Sequence, residues 1–223
     1  MRANNTLAVF NATAATYDRD RMKLIPDHEA FYAAMLEGVP AQAACIVDLG
    51  AGSGLSSQML HEAFPQAELF LLDFSSAMLE LAQKRLGTSP RLHYELGDYA
   101  ARAIPSADAV VSSLSIHHLE DAQKRTVFAR VLEALKTGGV FVNAEQVLQP
   151  SAELEEAAKA AWLADVRSLG ATEQQIADSL LRQQEDRCST IDEQLAWLRD
   201  AGFAEAQCTY HRGRFAVLVA RKS

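Results

Sequence analysis

Between residues 44 and 146, short apolar runs alternate with amphipathic segments, and that alternation decides what core the chain can build. The runs are ACIVDLG at 44–50, AELFLLDF at 67–74, RLHYELGD at 91–98, ADAVVSSLS at 107–115 and GGVFVNAEQ at 138–146. Continuous apolar runs of this length read as strands buried on both faces. The segments between them carry helical stripes. One begins at Leu55 and repeats through Met59, Leu60 and Ala63. A second has Ser75 or Ser76 as N-cap, continues through Met78, Leu79, Ala82 and Leu86, and stops at Gly87. A third carries Val127, Phe128, Val131, Leu132 and Leu135 and ends at Gly138-Gly139. Such alternation with short links implies right-handed crossovers and a parallel sheet, so the class is α/β.

The pattern changes after Pro150. Residues 151–187 are polar and helical and contain no strand. Positions 151–200 hold 11 acidic and 5 basic residues, six of the chain's net −8 charges. This stretch reads either as a solvated helical hairpin or as a cap over a ligand pocket. Thr190 then caps a helix through Leu195, Leu198 and Ala201, closed by Gly202. Two strands follow, AQCTYHR and RFAVLVAR, split by Gly213, and they read as an antiparallel hairpin. The first forty residues look helical, with amphipathic HEAFYAAMLEGV after Pro26.

An acidic chain, with 29 acidic against 21 basic side chains, repels phosphate backbones, so no stable nucleic-acid binding is expected. No apolar run approaches the roughly eighteen residues of a membrane span, and the first residues lack a secretory pattern. A cytoplasmic location is therefore expected. Cys45, Cys188 and Cys208 are odd in number and form no CxxC pair, and the histidines show no ligand spacing, so no disulfide framework and no metal are expected.

The segment Ile46-Val47-Asp48-Leu49-Gly50-Ala51-Gly52-Ser53-Gly54 is a glycine-rich turn that leaves a strand and opens a helix. Gly50 and Gly52 allow a close backbone approach to a ligand, and the helix offers free N–H groups. A dinucleotide fingerprint places its third glycine five residues after the first, but position 55 is leucine, which disfavours a nicotinamide dinucleotide. Asp73, at the end of the second strand, suits two ribose hydroxyls. After the third strand, Asp98 can accept from an adenine amino group, and Tyr99 offers an N–H and a ring edge.

Taken in order, DLGAGSG, LLDFSSAML, LGDY and VVSSLSIHHLED resemble the class I S-adenosylmethionine-dependent methyltransferases. The resemblance implies a Rossmann-like seven-stranded sheet in the order 3-2-1-4-5-7-6, its last strand antiparallel, with helices on both faces and a helical cap. It also implies four parts: an N-terminal helical cap at 1–40, an S-adenosylmethionine-binding core at 41–150, a helical insertion or cap at 151–188, and the last helix with the terminal hairpin at 189–223. By the same resemblance Asp48, Gly50, Ala51 and Gly52 border the methionine and ribose portion of S-adenosyl-L-methionine. Asp73 binds its ribose, Phe74 and Met78 flank the adenine, Asp98 and Tyr99 hold its edge, and Ser113 lies beside it.

The ends of the chain are similar to a subgroup that includes the carboxy-S-adenosylmethionine synthases. The similarity rests on Lys23-Leu24-Ile25-Pro26-Asp27-His28 and on DEQLAWLRDAGF. In the synthases a tyrosine near the position of His28 contacts the cofactor, which makes His28 a candidate contact. Those enzymes hold the added carboxylate with an arginine, where Trp197 falls in an ungapped alignment. That departure favours ordinary methyl transfer to a small-molecule acceptor. His117 and His118 follow the fourth strand, where the acceptor should meet the methyl, and one of them is a candidate general base. Arg19, Arg21 and Lys23, beside Tyr17, form a basic cluster that either faces solvent or holds a carboxylate. The remaining readings are a carboxy-S-adenosylmethionine synthase-like enzyme linked to tRNA modification and a non-catalytic cofactor-binding protein. Assembly is expected to be monomeric or homodimeric.

Overall fold

The computed structural model describes residues 23–223. Tyr17, Arg19 and Arg21 lie outside the described residues. Lys23 donates to the carbonyl of Gly170 at 3.1 Å.

β1 (Cys45–Leu49) lies at the centre of the sheet, parallel to β2 (Glu68–Asp73) on one side and β4 (Ala107–Ser113) on the other. β3 (Leu92–Leu96) extends one flank. β5 (Leu135–Gln146), β7 (Phe215–Arg221) and β6 (Glu205–Arg212) extend the other. The order is β3-β2-β1-β4-β5-β7-β6, and β7 is antiparallel to both its neighbours, as the motif resemblance implies. Successive strand residues point to opposite faces. Ile46 and Val47 accordingly enter two different apolar clusters, one on each face, and both are buried. Burial of such a side chain contributes roughly 1.5–3 kcal/mol. This is why the strands read as unbroken apolar runs.

The helices are α1 (His28–Glu37), α2 (Leu55–Ala63), α3 (Ser76–Leu86), α4 (Asp121–Ala134), α5 (Ala152–Ser168), α6 (Glu173–Arg182) and α7 (Ile191–Ala201). Ser75 is the N-cap of α3, accepting from the Met78 N–H at 3.2 Å. Thr190 and Glu193 form a reciprocal capping box on α7.

One boundary differs from the sequence reading. The third stripe does not run to Gly138-Gly139. α4 ends at Ala134, and Leu135 already has extended backbone and pairs with Ala107. Gly138, at φ 73°, accommodates the irregular register between Ala107 and Ala109. Leu135 is buried as the first residue of β5, so strand pairing overrides its place on the helical stripe.

Two polar anchors set the edge of the site. Trp162 on α5 donates its Nε1–H to the Leu24 carbonyl at 2.9 Å, fastening the helical pair to the segment before α1. Lys124 on α4 is buried and bonds Asp121, Ser189 Oγ and the Arg187 carbonyl. The Arg187 N–H donates to the His117 carbonyl at 2.7 Å. Residues 186–189 are thereby held against the turn that follows β4.

Candidate active site

The glycine turn between β1 and α2 is pinned to the end of β2. Gly50 N–H and Ala51 N–H both donate to the Leu72 carbonyl, at 2.8 and 3.0 Å. The Asp73 carboxylate then joins the two loops: Oδ2 accepts from Gly52 N–H and Oδ1 from Ser75 N–H, each at 2.8 Å. Burial pushes Asp73 above the ordinary aspartate range, and the backbone donors partly oppose this. The Phe74 N–H is a third backbone donor to the same carboxylate. An ionised carboxylate has about four acceptor sites, so acceptor capacity remains for a ribose hydroxyl.

The glycines have separate duties. A Cβ on Gly50 would stand 1.9 Å from Ser115 Oγ, and one on Gly54 would stand 2.8 Å from Leu86 Cδ1. Both therefore serve the chain's own packing. A Cβ on Gly52, at φ 55°, would meet nothing nearer than the Gly50 carbonyl at 4.0 Å. Gly52 thus borders open space. That space is a cleft of about 420 Å³ lined in part by Gly50, Gly52, Asp73, Phe74, Met78 and Ser113. Ser115 shares a 2.8 Å hydrogen bond with the Tyr99 hydroxyl, so Tyr99 is a buried support behind Gly50. Asp48, fully buried, accepts from Ser56 Oγ at 2.8 Å and Ser57 Oγ at 2.6 Å and fixes the start of α2. Asp98 is exposed and caps its own turn through Ala100 N–H. Asp48, Ala51, Asp98 and Tyr99 do not line the cleft, and His28, the first residue of α1, lines neither this cleft nor the next.

A second cleft, about 630 Å³, has an apolar side formed by Leu24, Ile25, Trp162 and Phe215 and a polar end formed by His117 and Asp186. Leu114 and His118 line both clefts. The histidines occupy a 3₁₀ turn at Ile116–His118. Leu114, at φ 51°, marks the sharp change of direction between β4 and that turn.

The two rings differ in their partners. His117 is held by Glu145: its Nδ1 lies 2.5 Å from Oε1, and its N–H donates to Oε2 at 3.0 Å. Its Nε2 is 3.5 Å from Asp186 Oδ1. His118 places Nδ1 3.2 Å from the same oxygen. Burial and the charge of neighbouring His117 push His118 below the ordinary histidine range, outweighing Asp186. Burial acts to raise Asp186, but His117, His118 and Arg214 outweigh it and hold the carboxyl low. Beside them, burial and the two carboxylates push the Cys188 thiol up to about 12, which keeps it protonated.

Glu145 and Asp186 are the partners of the two histidines that sequence reading missed. Glu145 had a legible signal, an acid inside the apolar run of β5. Asp186 had none, because only the docking of residues 186–189 brings it to the histidines. Trp197, set opposite the synthases' arginine, lines neither cleft. It is buried in the core next to Lys124 and Arg125. Its identity therefore says nothing about a carboxylate in the site.

The strand order, the glycine turn and the acid after β2 define the class I S-adenosylmethionine-dependent methyltransferase fold. Residues 46–139 match the family described as Methyltransferase domain. The trans-aconitate 2-methyltransferase of Acidovorax sp. (strain JS42) is 39% identical over 121 residues, covering 52% of this chain and 45% of that protein. The carboxy-S-adenosyl-L-methionine synthase of Aeromonas hydrophila is 26% identical over 184 residues, covering 80% of this chain and 74% of that one. Human N-acetylserotonin methyltransferase, solved in complex with S-adenosylmethionine, superposes with a TM-score of 0.64 at 19% identity, covering 86% of this chain and 51% of that one. The chain spans about half the length of several of the curated relatives it matches. The family's cofactor is S-adenosyl-L-methionine. The open space at Gly52 and the remaining acceptor capacity of Asp73 fit its ribose.

Proposed function

We propose that the protein transfers a methyl group from S-adenosyl-L-methionine to a nucleophile on a small molecule bound in the second cleft. The observation that carries this reading is the junction: His118 and Leu114 line both the glycine-bordered cleft and the apolar one. When bound, the cofactor supplies an electrophilic methyl on its sulfonium. The chain does the rest. Asp73 and the Gly52 turn hold the ribose, Phe74 and Met78 flank the adenine, and Leu24, Ile25, Trp162 and Phe215 seat the acceptor. Placing two reactants in line supplies much of the rate of such a displacement.

We assign the base to His118. Asp186 faces its Nδ1, so the single proton of the neutral ring sits there and Nε2 accepts the acceptor's proton. His117, gripped by Glu145, steadies the turn. Of the cap expected at 1–40 and 151–188, residues 1–22 lie outside the described residues; residues 23–40 and 151–188 act as the cap of the acceptor side, consistent with Leu24, Ile25 and Trp162 lining the second cleft. We place the protein in the cytoplasm, as a monomer or homodimer, and among the described residues no helix is long and apolar enough to cross a membrane.

The test is to measure S-adenosylhomocysteine production with hydroxylated and carboxylated small molecules in wild type, His117→Ala and His118→Ala. His118→Ala should lower saturated turnover roughly 10²–10⁴-fold at unchanged cofactor affinity. If both variants keep wild-type saturated turnover, no histidine acts as base. Absence of S-adenosylhomocysteine binding to the folded chain would remove the reading altogether. Carboxyl chemistry is separated by the mass of the cofactor that co-purifies with the protein.

A further inference from the structure

The geometry points to a divalent transition-metal site formed by His117 Nε2, His118 Nδ1 and Asp186 Oδ1. Among the described residues these three donor atoms lie within 4.8 Å of one another. Two of the separations are 3.5 and 3.2 Å. Charge-assisted hydrogen bonds between nitrogen and a carboxylate run shorter, about 2.7–2.9 Å. Bonds of about 2.0–2.1 Å to a tetrahedral zinc ion place neighbouring donors roughly 3.3 Å apart. The two separations bracket that coordination edge, and the shorter one also suits the neutral His118 N–H donating to Asp186 when no metal is bound.

The outer contacts point the same way. Metal-bound histidines characteristically pass their other ring N–H to a carboxylate, which fixes the ring and its tautomer. His117 Nδ1 does this with Glu145 at 2.5 Å, and Glu145 is buried. The second oxygen of Asp186 accepts from Gln146 Nε2 at 3.1 Å, leaving Oδ1 facing both rings. Two imidazoles and one carboxylate suit zinc, cobalt or nickel, whereas magnesium prefers an all-oxygen shell. The fourth position would face the acceptor cleft, which all three residues line.

Occupancy has a chemical consequence. A metal on His118 Nδ1 takes the lone pair of that atom, so the ring's proton resides on Nε2. The ring then holds a proton where the base needs a lone pair. Metal binding and base action are mutually exclusive at His118, and zinc is therefore an inhibitor of methyl transfer. This last step rests on the methyltransferase reading, but the site itself does not.

The test titrates the metal-stripped protein with Zn²⁺ against a chromophoric chelator, and with Co²⁺ while recording visible absorption. One Zn²⁺ per chain and the intense bands of tetrahedral cobalt are expected, with no competition from Mg²⁺. Asp186→Asn should weaken zinc binding roughly a hundredfold, and Glu145→Gln roughly 10–100-fold, with circular-dichroism melts showing both folded. The proposal is overturned if the folded wild type binds no zinc, or if both variants bind it as the wild type does. Zinc bound through these residues with full turnover at saturation would overturn the inhibition alone. If no acceptor yields S-adenosylhomocysteine, the zinc titration still decides the site.

Discussion

Asp73 holds the site together because each of its oxygens accepts a backbone N–H from a different loop. Asp73→Ala should cost both loop bonds and the ribose contacts, each charge-assisted bond contributing roughly 1.5–3 kcal/mol. Calorimetry with S-adenosylhomocysteine should show affinity falling at least tenfold, and unchanged affinity in a folded variant would remove Asp73 from the site. The same residue sets a pH dependence. Burial raises its pKa, and the bound ribose needs the carboxylate. Affinity is therefore full above the raised pKa and lost as pH falls through it, at a higher pH than an ordinary aspartate would give. A calorimetric series in acid, repeated with Asp73→Asn, measures this, and the variant should lack the dependence. Gly52→Val forces a branched side chain to positive φ and into open space at the cleft. It should abolish cofactor binding while the melt remains cooperative. At this scale the sequence was informative about which residues come together, since Gly52, Asp73, Phe74 and Met78, named from the motifs, all reach one cleft. It was less informative about Gly50 and Tyr99, which support the turn through Ser115, a residue no local motif singled out.

Among the elements, local chemistry was legible where it was self-contained. Thr190 with Glu193, and Ser75 with Met78, are caps written within four residues. Thr190→Ala should destabilise the fold by about 1 kcal/mol, read as a lower denaturation midpoint. The α4–β5 boundary was not legible, because Leu135 satisfies a helical stripe and a strand pair equally well and long-range pairing decides it. The helical pair α5–α6 has one tie with a clear functional reading, the bond from Trp162 to the Leu24 carbonyl. Trp162→Phe keeps the apolar wall and removes the donor. We expect a higher KM for the acceptor with little change in cofactor affinity, measured by initial rates and by calorimetry. A matched loss of both would mean that the helical pair supports the whole fold instead.

For the whole molecule, the sheet order was legible through the family resemblance that the ordered motifs carry, and the structure has that order. Convergence of Glu145, Asp186 and the histidines was beyond sequence reading, since it depends on where the segment after α6 docks. Binding at the central turn should register globally. S-adenosylhomocysteine at a hundred times its Kd adds about 2.7 kcal/mol to the folded state. In a domain of this size that corresponds to a melting shift of roughly 5–11 °C. A thermal shift assay checks it, and the shift should vanish in Gly52→Val.

The division between the two clefts also matters to anyone who would re-engineer the molecule. The Gly52–Asp73 cleft is made by turns that leave β1, β2 and β4, whereas much of the second cleft, the acceptor side under the proposed function, comes from the segment before α1 and from α5 and α6. A graft of residues 151–185 from a homologue with another appetite would redraw selectivity while leaving the Gly52–Asp73 clasp untouched. Laboratory evolution of new products can confine its libraries to that stretch, and selection there is released from the need to preserve the loading of the methyl donor.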